Sequence, residues 1–247
     1  ATKGMGVLHI GCDPKSDSAM RLMDGYEKVP TVLDVLGDDV MNSSMESIVH
    51  EGRLGIHCCE AGGPPPGLGC GGRGVARNLE FIEDMEVMEG GKYGAVVFDV
   101  LGDVVCGGFA APLRQGFAEM VFIVVSEEPM AIYAANNISK AVQAYQRNGV
   151  VLGGLIVNVR DNSAVDMSKL EEFAAKISTR IVGVIPRDAK VMEAERRRKT
   201  VVEYAPESPA ALEFTRLADA ILEMDASSIP LPTPLDEEQY HRFMEAW

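Results

Sequence analysis

Six short, almost wholly apolar runs, each closing on polar or turn-forming residues and separated by helix-like segments, constrain this chain more than any other feature. They are Val7 to Gly11, Gly55 to Glu60, Ala95 to Phe98 ahead of Asp99, Met120 to Ser126, Val151 to Asn158 and Ile181 to Ile185. Strands this apolar need burial on both faces, and strands alternating with helices assemble into a parallel sheet covered on either side. Helices are predicted from Pro30 through TVLDVL, over Ser44 to His50, Val75 to Met88, Met130 to Arg147, Ala189 to Lys199 and Ser208 to Met224. Pro230, Pro232 and Pro234 predict a non-helical tail. The expected fold class is α/β with a doubly wound, mostly parallel sheet. It is expected to form a single domain over residues 1–226, followed by an acidic, proline-containing tail over 227–247, with no internal repeat and no linker.

Composition narrows the function classes. The 247 residues contain no run of eighteen apolar residues, and Ala1-Thr2-Lys3-Gly4 lacks the sections of a signal peptide, so a cytoplasmic protein with no membrane partner is expected. Lys and Arg number 23 against 37 Asp and Glu, a net charge of −14 that repels phosphate backbones and argues against a nucleic-acid partner. Five cysteines, an odd number without a secretory signal, leave buried thiol, metal ligand or nucleophile as their uses.

Doubly wound folds bind ligands outside the carboxyl ends of their strands, which puts Asp13, Asp99, Asn158 and the trio Pro186-Arg187-Asp188 on one expected working edge. The segment AVVFDVLGD has the form of a Walker B strand, in which Asp99 would help hold Mg²⁺ and the loop through Gly102 and Asp103 would sense a γ-phosphate. The simpler reading is a strand end whose Asp caps the next turn. No G-x-x-x-x-G-K-[ST] loop occurs in the sequence, and the G-x-G-x-x-G match at Gly67 to Gly72 follows three prolines where a dinucleotide fingerprint needs a strand.

Cys70 and Cys106 lie among glycines, in PGLGCGGRG and GDVVCGGFA, whereas Cys12, Cys58 and Cys59 lie in or at the end of apolar strands. Flanking glycines let backbone crowd an inorganic cluster and offer N–H groups to its sulfurs. A free loop thiol is the plain alternative. Two cysteines cannot close a cluster that takes four thiolates, but a two-fold dimer would supply two from each chain. Helices starting just after Gly71 and near Pro112 would turn their positive ends toward such a site. Arg73 is either a surface charge or a docking residue beside it. Glu195-Arg196-Arg197-Arg198-Lys199 reads as a solvated helix face, and His9, His50, His57 and His241 show no zinc spacing.

The segments GCDPKSDS, CCEAGGPPPGLGCGGRG, YGAVVFDVLGDVVCGGFAAPL, MAIYAANNISKA and VIPRDAKVMEAERRRKTVVEY occur in this order. Through them the chain, from about Gly6 to about Met224, resembles the nitrogenase iron protein family, the dinitrogenase reductases, including the ATP-binding components of nitrogenase-like reductases. The resemblance implies a P-loop NTPase-like fold of the SIMIBI type and a homodimer with one bridging 4Fe-4S cluster held by Cys70 and Cys106 of both subunits. It also implies MgATP on each subunit, an electron donor such as ferredoxin or flavodoxin, and a nitrogenase-like catalytic component as partner. Asp13, Lys15 and Asp17 match the family's first switch, with Asp13 in a catalytic role. Asp99 to Asp103 match the second, with Asp99 near Mg²⁺ and Asp103 activating the attacking water. Asn158, Pro186, Arg187 and Asp188 match positions at the nucleotide base, and Arg73 matches the docking-face arginine that some organisms ADP-ribosylate. PTVLDVL and the proline-bearing tail look more like the nitrogenase-like reductases than nitrogenase proper. The segment Pro209 to Phe214 departs from the nitrogenase version.

In that family a first strand, a phosphate loop with its lysines and a helix precede the segment that begins here at Gly6, roughly thirty residues forming one βα unit. Their absence from this sequence predicts a fragment of a longer product, because omitting an internal parallel strand leaves two ladder edges open. A non-hydrolysing cluster-binding or scaffold protein is the alternative function if the chain starts at Ala1.

Overall fold

A computed structural model describes residues 1–25, 28–38, 44–64, 71–102, 107–108, 110–114 and 116–247, with Asp38 and Arg73 described by their backbone only. The chain forms two compact units, one of residues 1–101 with 105–112, the other of 102–104 with 113–247.

The first unit contains β1 (Val7–Gly11), α1 (Val32–Asp38), α2 (Met45–Ile48), β2 (His50–Glu51), β3 (His57–Glu60), α3 (Gly71–Asp84) and β4 (Ala95–Asp99). Its sheet runs β2-β3-β1-β4, with β1 parallel to β3 and β4 on its two sides and β2 antiparallel at the edge. The apolar run of β1 explains its central place: Leu8 and Ile10 are fully buried, while His9 alternates to the other face. α3 lays Val75, Leu79 and Ile82 against the core at the spacing of one helix face. His50, read as the end of a helix, instead begins β2, because α2 stops at Ile48 and the extended Val49 turns the chain onto β3.

The second unit contains β5 (Met120–Val125), α4 (Pro129–Ala144), β6 (Val151–Asn158), α5 (Met167–Lys176), β7 (Ile181–Ile185), α6 (Ala189–Arg196), α7 (Val201–Tyr204), α8 (Pro209–Leu222) and α9 (Glu237–Glu245). Its sheet is wholly parallel, in the order β5-β6-β7. α8 packs on β7, with Ala210 and Leu217 against Ile185.

Among the described residues the strand ends lie in two hydrogen-bonded sheets, β2-β3-β1-β4 in the first unit and β5-β6-β7 in the second. The expectation of a non-helical tail is corrected: α9 forms beyond the last proline, started by a capping box of Asp236 with Gln239 and anchored by Phe243, whose ring lies 5.8 Å from that of buried Phe173.

Candidate functional site

β1 hands the chain to its polar loop beside the end of β4, where the Cys12 N–H donates to the Asp99 carbonyl at 2.8 Å. Gly11 at this corner is required for space: a Cβ there would lie 2.1 Å from Glu60 Oε2 and 2.8 Å from Ser18 Cβ. In the loop, Asp13 Oδ1 accepts the Lys15 N–H at 2.8 Å, and Lys15 Nζ lies 3.1 Å from Asp13 and 3.5 Å from Asp17. Hydrogen bonding to Asp13, with the charges of Asp13 and Asp17, raises the Lys15 pKa above its ordinary value. The three first-switch candidates are therefore brought together.

Ser18, which the sequence reading did not single out, links this loop to the β4 carboxylate. Its hydroxyl donates to Asp99 Oδ2, and His9 Nε2 lies 2.7 Å from Ser18 Oγ. Burial lowers the His9 pKa against the pull of Asp99, keeping the ring neutral. Because Ser18 gives its one hydrogen to Asp99, His9 must carry its proton on Nε2 and donate. Glu60, the polar residue closing β3, completes the corner. Its Oε1 accepts the Ala19 N–H at 2.5 Å, its Oε2 has no partner among the described residues, and burial pushes its carboxyl up to about 7. The same signal that marked Asp99, a polar residue at the end of an apolar strand, was present at Glu60.

Among the described residues no three His, Cys, Asp or Glu side chains form a closed metal cage. Carboxylates at the ends of β1 and β4 nevertheless fit Mg²⁺, which takes one or two protein carboxylates and completes its shell with water and phosphate oxygens.

The glycine-rich segment leaves β3 against this loop. A Cβ on Gly62, at φ +78°, would meet Thr31 Oγ1 at 2.3 Å, and one on Gly63 would meet Pro14 Cβ at 2.3 Å. Cys70, Cys106 and Asp103 lie outside the described residues. The glycines two positions beyond each cysteine are described, and they touch: a Cβ on Gly108 would lie 2.1 Å from the Gly72 carbonyl oxygen. Backbone this close, which only glycine permits, fits a cradle for an inorganic cluster. The other cysteines do not fit as ligands. Cys12, Cys58 and Cys59 are fully buried, and burial raises all three thiols, Cys12 to about 12 and Cys58 to about 11, so they stay protonated. Arg73 lies in the first turn of α3.

In the second unit, exposed Asn158 closes β6 opposite Ile185 of β7, and Pro186-Arg187-Asp188 follows directly. Asp188 is committed to scaffolding. It caps α6 by accepting from Lys190 N–H at 2.8 Å and takes the Ala210 N–H of α8 at 3.2 Å, bonds that hold its carboxyl below the ordinary value. Two further clamps had no local sequence signal. Asn162 pairs with the backbone of Arg187, and Glu127 accepts N–H groups from Arg160 and Asp161.

Solved structures share the fold: the septum site-determining protein MinD of Pyrococcus horikoshii, complexed with Mg-ADP, matches with a TM-score of 0.67 at 18% identity over 89% of this chain and 84% of that one. Cobyrinic acid a,c-diamide synthase of Mycobacterium smegmatis matches with a TM-score of 0.60 at 18% identity over 95% and 89%. The fold is thus the one these MinD structures share. In sequence, the nitrogenase iron protein of Methanococcus voltae is 43% identical over 249 residues, covering 100% of this chain and 87% of that protein. Nitrogenase iron protein 2 of Methanothermococcus thermolithotrophicus is 43% identical over 94% of this chain and 83% of its own length. The profile of the 4Fe-4S iron sulfur cluster binding proteins of the NifH/frxC family matches residues 1–247, and the chain belongs to that family, whose members bind a 4Fe-4S cluster and use MgATP.

Proposed function

We propose that this protein is an ATP-dependent electron-transfer reductase component, an iron protein that passes single electrons to a nitrogenase or nitrogenase-like catalytic partner. The observation that carries the reading is the contact of Gly72 with Gly108, which brings the segments that follow the two glycine-flanked cysteines together in the same unit as the Ser18–Asp99 corner. Cys70 and Cys106 of two subunits would hold one 4Fe-4S cluster in a homodimer, and the cluster supplies one-electron transfer when bound.

The chain's own residues supply the coupling. Asp13, Lys15 and Asp17 form a compact charged loop, Asp99 offers a carboxylate to Mg²⁺, and Asp103 is positioned in sequence to orient an attacking water. Movement of the Asp13–Asp17 loop is felt at Gly63, because Pro14 rests on it with no room for a side chain. A loop ordered by a γ-phosphate would in this way bias the segment leading to Cys70. Asn158, Pro186 and Arg187 form the nucleotide-base edge, with Asp188 bracing it, and Arg73 belongs to the docking face. The reading includes a cytoplasmic setting with ferredoxin or flavodoxin as electron donor. Among the described residues no helix is long and apolar enough to cross a membrane.

The test is anaerobic purification of the full-length protein with iron counting, and an assay of ATP-dependent electron delivery to a nitrogenase-type component. About four irons per dimer with ATP-coupled transfer is expected. About four irons per chain would remove the shared cluster. A bound cluster with no ATP hydrolysis would identify a cluster-binding relative without a motor.

A further inference from the structure

The loop after β1 is fastened unevenly along its length. Over Asp13 to Asp17 the bonds stay within the loop: the Asp13 carboxylate accepts the Lys15 N–H at 2.8 Å, its carbonyl accepts the Ser16 N–H at 2.9 Å, and Lys15 Nζ pairs with Asp13 and Asp17. Ser16 stands at φ +54°, in the left-handed region, and its buried hydroxyl has no partner among the described residues. A side chain is strained there, and such conformations persist only where the surroundings hold them. From Ser18 onward the segment is tied to distant elements instead. Ser18 donates to Asp99 of β4, the Ala19 N–H donates to Glu60 of β3, and three successive carbonyls meet one residue, Arg53, in the turn before β3.

Arg53 closes the far end of this segment with its backbone and its side chain together. Its Nη2 donates to the Arg21 carbonyl, its N–H to the Leu22 carbonyl at 2.6 Å and its Nη1 to the Met23 carbonyl at 3.2 Å, with Asp24 Oδ1 at 3.9 Å from Nη1. The short helical turn Ser18–Arg21 has no following turn to take up these carbonyls, and a rigid guanidinium fork reaches two of them at once where a lysine reaches one. The two segments are in close contact, since a Cβ on Gly52 would lie 2.6 Å from the Leu22 carbonyl oxygen. Resting on the reading of residues 13–17 as a nucleotide switch, we infer that Arg53 is a positioning residue that anchors residues 21–24, confines nucleotide-driven movement to Asp13–Asp17, and so delivers it through Pro14 to Gly63 and the segment leading to Cys70. Without the anchor, residues 19–25 would absorb the same movement.

The test is the number of ATP molecules hydrolysed per electron delivered to a nitrogenase-type component, measured on the full-length, cluster-loaded protein as wild type, Arg53→Met, Arg53→Lys and Arg242→Met. Arg53→Met keeps the apolar stem and loses the fork, so ATP hydrolysis persists while the ATP spent per electron rises roughly three- to tenfold, with the cluster spectrum intact. Arg53→Lys, with one donor group on a flexible stem, falls between the two and carries the test if the methionine variant does not fold. Arg242→Met, an exposed arginine of α9 paired with Glu238, leaves the ratio unchanged. A ratio within about twofold of wild type in both Arg53 variants overturns the inference alone. So does a loss of hydrolysis and electron delivery in equal proportion with the loss of folded protein, which marks Arg53 as structural only. Wild type that delivers no electrons in response to ATP overturns the switch reading and the inference with it.

Discussion

Ser18 donates its hydroxyl hydrogen to Asp99, tying the loop after β1 to the carboxyl end of β4, while neutral His9 donates to the Ser18 hydroxyl oxygen from behind. Replacing Ser18 by Ala removes the tie and leaves a His9 donor without its acceptor, at about 1–2 kcal/mol of stability. ATP-dependent electron delivery should fall about tenfold or more in Ser18→Ala while the cluster spectrum stays intact, because Asp99 loses its anchor to the switch loop. Undiminished ATP coupling in that variant would show that the link is structural only.

Glu60 makes stability depend on pH in the opposite sense to a salt-bridged carboxylate. Its folded pKa is about 7 against an ordinary value of 4.5, so over that interval the folded protein holds a proton that the unfolded chain has released. Stability from this group is complete below the unfolded value, declines as pH rises toward the folded value, and levels off above it, a change on the order of 3 kcal/mol. Glu60→Gln, neutral throughout, should denature at higher urea than wild type at about pH 8 and match it near pH 5. Parallel pH profiles for the two proteins would refute the assignment.

Gly108 tolerates no side chain. A Cβ there would sit 2.1 Å from the Gly72 carbonyl oxygen and 2.2 Å from its carbon, so Gly108→Ala must part the two cysteine-bearing segments. Iron content should collapse while far-ultraviolet circular dichroism is kept. Gly37→Ala, in α1 and away from this contact, whose Cβ would meet nothing within 4 Å among the described residues, should bind iron normally. Equal iron in both variants would be incompatible with a cradle at this contact.

Cys70→Ser or Cys106→Ser should abolish the visible and EPR signals of the cluster, and Cys59→Ala should leave them, since the Cys59 thiol is fully buried and held protonated. A normal cluster in both of the first two variants would be falsifying for the ligand set.

Asn136 fastens the C-terminal tail to α4. Its amide donates to the Leu235 carbonyl at 2.9 Å and accepts the Leu235 N–H at 2.8 Å, both in a buried setting. Asn136→Ala should destabilise the second unit by about 2–3 kcal/mol, because two buried backbone groups lose their partners. Limited proteolysis should then cut near Pro230 to Pro234 sooner than in wild type.

Much of the architecture was legible as pattern. β1, β6 and β7 begin and end where their apolar runs do, because turn-forming or polar residues bound each run. α9 carried an overlooked signal in Asp236 and Gln239, a capping pair outweighed in the reading by the prolines before it. β2 carried none: two residues beside β3 become a strand only because β3 offers an open ladder edge there.

The sequence by itself determined the α/β class, the polar residues at the strand ends and the glycine setting of Cys70 and Cys106, since each is written in neighbouring residues. Tertiary structure alone decided that Ser18 reaches Asp99, that Glu60 is buried with a lone pair unmet, and that Asn162 holds Arg187. These partners lie 81, 41 and 25 positions apart, counting Glu60 to Ala19 for the second. Which distant donor meets which acceptor is set by strand order and register, and local sequence periodicity encodes neither.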